Sequence, residues 1–161
     1  MRSNCTFKGT VAAILLVGLV AAYASAAADD KPAGDDKAAL QGTWRAVASE
    51  MDGDKQPEDD VKQHTLVFSG DTMTVNKAGE MVMKGKVTID PAKKPGHIDF
   101  KLEENPANAD DVGKTLSGIY EVKGDELKWC FVLPDRSERP KEFKSESGSG
   151  TINATLKREK K

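Results

Sequence analysis

The densest group of side chains that could do chemistry is a run of acids. Five carboxylates lie within nine residues, at Asp52, Asp54, Glu58, Asp59 and Asp60. Carboxylate oxygens are ligands that Ca²⁺ prefers, but a helix–loop–helix calcium site needs glycine at its sixth position, and counting from Asp52 that position is Pro57. Acids also favour the first turn of a helix. We therefore predict a turn followed by one short helix over residues 57–63 and no metal site, with weak adventitious calcium binding as the alternative.

A second group imitates the end of a phosphate-binding loop, Gly113-Lys114-Thr115. Such a loop needs a glycine five residues before Gly113, where this chain has Asn108, and it follows an apolar strand. Residues 103–111 are instead acidic and polar, and carboxylates repel phosphate. These residues are predicted to form a junction between a loop and a strand.

The candidate nucleophiles and bases are scattered along the chain. His64 and His97 are the only histidines, and neither belongs to a metal-ligand or nucleophile–base pattern. Ser147 and Ser149 alternate with glycines, but a nucleophile elbow lies between a strand and a helix, whereas this segment leads into a predicted strand. We predict no catalytic residue, no cofactor and no enzymatic activity.

The two cysteines are Cys5, which lies in the amino-terminal segment described next, and Cys130. Cys130 is out of phase with the apolar residues around it, which places its side chain on the outer surface of a predicted strand. It is either a half-buried small apolar side chain, the usual state of a free cysteine, or half of an intermolecular disulfide in an oxidising compartment.

The amino terminus predicts export. Arg2 and Lys8 precede the uncharged residues 9–28, whose most apolar part, residues 11–22, is twelve residues long. This length, followed by alanines in A-x-A registers, is typical of a signal peptide cleaved after Ala26 or Ala28, and an uncleaved anchor is the alternative. Both place the rest of the chain in the periplasm, on the cell surface or outside the cell. After cleavage we expect no stable membrane span.

The remainder is predicted to be one small domain. The chain has 161 residues with 24 basic and 26 acidic side chains, a near-balance that argues against a nucleic-acid partner. We divide it into a signal peptide (1–28), a flexible polar leader (29–37), a folded domain (38–158) and a basic tail (159–161).

Period-two alternation dominates this domain and predicts strands with one dry face. Eight or nine strands are predicted, over residues 43–50, 65–69, 72–76, 81–90, 97–102, 115–123, 126–133, 151–157 and, least regularly, 142–144. Gly70-Asp71 and Gly124-Asp125 fit the type II′ turns of hairpins. Because closure removes the edges of a sheet, the predicted fold class is an all-β, antiparallel up-and-down barrel.

The opening Gly42-Thr43-Trp44 resembles the Gly-x-Trp signature that begins lipocalin-type barrels. Together with the strings LVFSGDTMTV, GKTLSGIYEV and ERPKEF, the domain resembles an uncharacterised lipocalin-like domain family abundant in planctomycete bacteria. The resemblance covers about residues 38–158 and implies a lipocalin-like barrel in which Trp44 packs across the bottom, under a basic residue of the last strand. Arg158 is in phase with the apolar face of that strand and matches the basic residue. The resemblance implies no activity.

Seven bulky side chains are predicted to face the interior: Phe68, Met73, Met81, Met83, Phe100, Tyr120 and Trp129. They either fill a small barrel or line a pocket for a small apolar ligand. Small residues predicted on the same face would leave room for that ligand: Ala46, Ala48, Gly85, Gly118 and Ala154. We therefore predict an exported, non-enzymatic barrel that binds a small apolar ligand. The alternative is an interaction or structural module with a filled barrel, whose partner is another protein of the cell envelope.

Overall fold

Antiparallel strands make up most of the part of the chain that the structure describes. The structure is a computed structural model, and it describes residues 35–134, 136 and 138–160. The predicted signal peptide and most of the predicted leader lie outside the described residues. The strands are β1 (Gly42–Met51), β2 (Asp54–Lys55), β3 (His64–Ser69), β4 (Thr72–Lys77), β5 (Glu80–Asp90), β6 (Gly96–Glu104), β7 (Thr115–Lys123), β8 (Glu126–Val132) and β9 (Thr151–Arg158).

Eight of these strands form a closed up-and-down barrel. β1 and β3 to β9 pair with their neighbours in chain order, and β9 pairs back with β1. The two-residue strand β2 adds to the end of β1, with Met51 opposite Asp54. The predicted all-β antiparallel barrel is confirmed, but the ninth strand is β2. Residues 142–144, which were predicted to be a strand, contain none.

Two short α-helices lie at opposite ends of the barrel, where the sequence predicted one helix. α2 (Glu58–Val61) confirms the helix predicted over residues 57–63, and its first turn holds the predicted acids. α1 (Asp36–Leu40) begins inside the segment predicted to be a flexible leader. A five-residue helix has little stability of its own, so tertiary contacts hold α1. Among the described helices, none is long and apolar enough to cross a membrane.

Pairing register shifts at three places in the described barrel, and two of these β-bulges change which predicted residues face the interior. In β1, Val47 is an extra residue opposite β9, because Ala46 pairs with Leu156 and Ala48 with Thr155. Beyond this bulge Ser49 faces the interior and Ala48 is exposed. The prediction that Ala48 points inward is therefore wrong.

The second bulge lies in β5. Val75 pairs with Met83 but the next residue, Asn76, pairs with Met81, so Val82 is the extra residue. Met81 consequently lies opposite Asn76, out of phase with the buried Val75. Val82, and not Met81, packs against the described core. The prediction of Met81 as an interior residue is wrong for this reason.

Trp44 and Arg158 close the barrel at the end where α1 lies, which we call the closed end. The Trp44 ring is fully buried, and the guanidinium carbon of Arg158 lies 4.1 Å from the ring centroid. Arg158 also donates hydrogen bonds from Nη1 to the Gln41 carbonyl and from Nη2 to the Ala39 carbonyl, each at 2.6 Å. Gly42 has φ +109°, and a Cβ there would lie 3.3 Å from Arg158 Nη1. A side chain at position 42 would therefore be strained by the backbone and crowded by the guanidinium.

The segment between β8 and β9 covers part of the outer surface. Arg139 donates from Nη1 to the carbonyls of Ile98 and Gly118 at 3.0 and 2.5 Å, and from Nη2 to Asp99 at 2.6 Å. Beneath the segment Cys130 is completely buried, with Sγ 3.5 Å from the Lys144 carbonyl, and burial raises the pKa of its thiol. In this structure the thiol is a buried free cysteine, and an intermolecular disulfide would require the segment to move.

Candidate functional site

The strongest candidate for a functional site is an apolar cavity inside the half of the barrel away from the closed end. Its volume is about 250 Å³. Most of the lining comes from inward side chains of the barrel strands: Ala46, Leu66, Val75, Met83, Phe100, Leu116, Trp129, Phe131, Ile152, Ala154 and Leu156. Val61 of α2 covers part of the cavity and is itself buried.

The cavity exists because the small side chains are unevenly distributed. Ala46 and Ala154 lie on the adjacent strands β1 and β9 and both line the cavity. The glycines predicted to leave room do not contribute. A Cβ at Gly118 would lie 2.6 Å from the Phe131 ring, and one at Gly85 would lie 3.0 Å from the Phe100 ring. The Phe131 ring therefore occupies the space above Gly118, while the Lys101 carbonyl and the Phe100 ring occupy the space above Gly85. Only the two alanines leave room.

Four polar side chains and Met51 surround the opening of the cavity, which we call the mouth. Its members are Ser49, Met51, Gln56, Asp60 and His64. Met51 is 41 % exposed while also lining the cavity, so the cavity reaches solvent at this point. His64 Nδ1 lies 3.0 Å from the Asp60 carbonyl oxygen. The Asp60 carboxylate pairs with Lys77 at 2.7 Å, and this hydrogen-bonded ion pair lowers the pKa of Asp60.

Trp129 is the lining residue with an unsatisfied polar atom. Its ring meets Phe131 edge to face, with centroids 4.8 Å apart and planes at 89°. Its indole Nε1 is buried and has no hydrogen-bond partner among the described residues. A buried N–H without a partner lowers the stability of the fold, because its hydrogen bond to water is lost and not replaced.

The structure divides the seven predicted interior residues into groups. Met83, Phe100 and Trp129 line the cavity. Phe68, Met73 and Tyr120 are buried in the core but do not line it. Strand register places Phe68 opposite Gly42 and Tyr120 opposite Gly96, towards the closed end. Met81 belongs to neither group.

Sequence reasoning missed the residues of the mouth. Ser49 and Met51 face the cavity only because of the bulge at Val47. Asp60 and His64 are brought there by α2 and the start of β3, on either side of a tight connection. Their polarity gave no sign that they border an apolar cavity.

The mouth does not form a nucleophile–base pair. Ser49 and His64 both line the cavity, yet no hydrogen bond joins the Ser49 hydroxyl to the His64 ring in the described structure. The Asp60 carboxylate pairs with Lys77 instead of orienting the imidazole. A nucleophile activated by histidine needs both contacts. The described residues also contain no cluster of three His, Cys, Asp or Glu side chains able to hold a metal ion.

A scan against protein-family models finds no match, and a search of curated proteins finds no significant match. What the barrel does must therefore be inferred from the cavity and the mouth themselves.

Proposed function

We propose that this chain is an exported, non-enzymatic β-barrel that binds a small apolar ligand in its cavity. The observation that carries the proposal is the cavity itself, about 250 Å³ in volume and lined mainly by aliphatic and aromatic side chains. The interior of an eight-stranded barrel is either filled by its own side chains or holds one small ligand, and here the side chains leave this space. A ligand would restore the contacts that the lining side chains lack.

The volume limits the size of the ligand. An apolar cavity of about 150 Å³ is enough for benzene, and sites for drug-sized ligands begin at about 300 Å³. The cavity therefore suits a molecule between these limits, such as a two-ring aromatic compound or a short alkyl chain.

Two other features support the proposal. The proposal of export rests on the amino-terminal pattern of Arg2, Lys8 and the apolar residues 11–22. The lipocalin-like resemblance is supported by the contact between Trp44 and Arg158 at the closed end. The proposal that the barrel is not an enzyme rests on the missing contact between Ser49 and His64.

The alternative function is an interaction or structural module of the cell envelope, which would use the outer surface and need no cavity. The described surface exposes two large apolar side chains, Met51 and Val112. Met51 belongs to the mouth, so little apolar surface remains for a protein partner. This distribution favours ligand binding over the alternative.

The test compares two alanines of β1. Ala46→Leu adds a side chain inside the cavity, while Ala48→Leu adds the same side chain on the exposed face of the same strand. Naphthalene binding to each variant is followed by NMR chemical shifts. We expect naphthalene to bind the wild type and Ala48→Leu equally and to lose at least about tenfold affinity for Ala46→Leu, because the new side chain occupies the space of a ring.

Native mass spectrometry of the protein purified from its own cells complements this comparison, since a retained ligand adds a discrete mass. The proposal fails if naphthalene does not bind the wild type up to its solubility, or if Ala46→Leu binds it as tightly as Ala48→Leu.

A further inference from the structure

We infer that the ligand of the cavity is an uncharged molecule carrying one hydrogen-bond acceptor, such as a ring nitrogen, an ether or a ketone, and that this acceptor pairs with Nε1 of Trp129. The inference rests on the proposed ligand-binding function and specifies the class of ligand.

The unpaired indole N–H is the first reason. Trp129 lines the cavity, and its Nε1 is buried with no partner among the described residues. Indole N–H groups usually find an acceptor when they are buried. Trp44 shows the usual outcome in the same barrel, because its Nε1 donates to the Leu40 carbonyl at 2.8 Å. Because Nε1 is itself buried, the indole must rotate when the ligand binds for its N–H to reach the acceptor, and the torsion that orients an aromatic ring is broad.

The distribution of charge is the second reason. Asp60 is the one residue with an ionised carboxylate or ammonium group among those that line the cavity, and its charge is negative. No lysine or arginine lines the cavity in the described part of the chain. A carboxylate placed in the cavity away from the mouth would meet one N–H donor, that of Trp129, and no lysine or arginine side chain. Burying an ion without a partner is very costly. An organic anion whose charged group enters the cavity is therefore a poor ligand, and an uncharged molecule fits.

The experiment uses two ligands of the same shape. Quinoline has a ring nitrogen where naphthalene has a C–H group, and at neutral pH both are uncharged. Affinities of both ligands are measured for the full chain and for Trp129→Phe, which keeps an aromatic ring and removes the N–H. We expect the ratio of quinoline to naphthalene affinity to fall by about 3- to 10-fold in Trp129→Phe, the effect of one hydrogen bond.

The wild-type protein provides a readout that does not depend on the variant folding. The chain contains two tryptophans, Trp44 and Trp129, so its nitrogen-15 NMR spectrum has two indole N–H signals. Quinoline should move the Trp129 indole proton downfield, as a new acceptor does, whereas naphthalene should not. The Trp44 signal, whose N–H is already bonded to Leu40, serves as the internal control.

A second pair of ligands tests the charge. 2-Acetylnaphthalene and 2-naphthoate have nearly the same shape, but only the latter is an anion. We expect the ketone to bind and the carboxylate to bind at least about tenfold more weakly.

The outcomes separate the inference from the function on which it rests. If naphthalene and quinoline bind with the same affinity ratio in both proteins and the Trp129 signal does not respond to quinoline, the acceptor is wrong and apolar ligand binding stands. If 2-naphthoate binds as tightly as the ketone, the uncharged class is wrong. If none of the four compounds binds the wild type, the proposed function falls together with the inference.

Discussion

The closed end and the cavity of this barrel differ in whether the chain satisfies its own polar groups. At the closed end, the carbonyls of Ala39, Leu40 and Gln41 follow one another at the end of α1, and each accepts a hydrogen bond from Trp44 or Arg158. These are the carbonyls that a helix leaves unpaired at its carboxyl terminus. In the cavity behind the mouth, the N–H of Trp129 has no partner among the described residues.

Packing around the two tryptophans differs in the same way. Trp44, Leu40 and Phe68 are buried at or beside the closed end, with Arg158 covering the indole. The other half of the barrel keeps about 250 Å³ of empty space. From this comparison we expect the closed end to contribute most to stability. The side chains that line the cavity lack packing contacts, which the proposed ligand would supply. Substitutions at the closed end should therefore change stability more than binding, and substitutions in the cavity should do the reverse.

The largest effect is expected for Trp44→Ala. Removing a fully buried indole at the closed end should lower the free energy of unfolding by about 3–5 kcal/mol, because it leaves a large void and unpairs the Leu40 carbonyl. Urea denaturation followed by circular dichroism measures the change. A loss below about 1 kcal/mol would mean that Trp44 does not hold this end together.

Arg158→Met should have the next largest effect, a loss of about 1–3 kcal/mol, since it removes two charge-assisted hydrogen bonds and the contact with Trp44. Arg45→Met is the matched control. Arg45 lies on neighbouring β1, forms an exposed ion pair with Glu159 and donates an exposed hydrogen bond to the Lys62 carbonyl at 3.0 Å. Because both contacts are exposed, their loss should cost less than about 1 kcal/mol. Equal losses in the two variants would contradict the role of the closed end.

Tyr120→Phe tests the bond that holds α1 to the barrel. The Tyr120 hydroxyl donates to Asp36 Oδ2 at 2.9 Å, and its loss should cost about 1 kcal/mol at neutral pH. Burial raises the pKa of Tyr120, and the hydrogen bond to Asp36 and the negative charge of that carboxylate raise it further. The unfolded chain therefore loses the phenol proton first as pH rises.

The stabilising contribution of Tyr120 is consequently complete below the ordinary tyrosine pKa of about 10 and is lost as pH rises above it. Unfolding free energies measured across that alkaline range should fall more steeply for the wild type than for Tyr120→Phe. Parallel curves would show that the phenol is not buried against Asp36.

The smallest effect is expected in the turn between β4 and β5, on the same side of the barrel as the mouth. Ala78 has φ +53°, a conformation that L-residues adopt at a cost and that asparagine tolerates better. Ala78→Asn should raise the free energy of unfolding by about 0.5–1 kcal/mol. Ala92→Asn, in an exposed loop, is the control and should change the free energy of unfolding little. Urea denaturation measures both variants. A destabilised Ala78→Asn variant would show that this turn is already optimal.

The sequence predicted the barrel more successfully than it predicted the cavity, for a physical reason. Alternating apolar residues and glycine turns are local signals, and both Gly70 and Gly124 have the positive φ that their turns require. A β-bulge has no comparable signal. The residues around Val47 and Val82 contain apolar side chains in both phases, so the change of face in β1 and β5 depends on pairing with distant strands.

Two other features were beyond prediction because they depend on distant contacts. α1 is too short to be stable alone. It is held by Tyr120 and Arg158, which are distant in the sequence, together with the nearby Trp44. Cys130 was correctly placed on the outer face of β8, but its complete burial depends on the segment that Arg139 fastens across β6 and β7.

The closure of the barrel by β1 and β9 has a practical consequence for handling the protein. The chain enters the barrel through α1 and leaves it after β9, where the Glu159 amide still bonds to the Thr43 carbonyl at 2.9 Å. Both α1 and the end of β9 lie at the closed end, opposite the mouth. A linkage to a bead, a chip or a fusion partner placed before Asp36 or after Glu159 would therefore orient every molecule with its opening towards the solution.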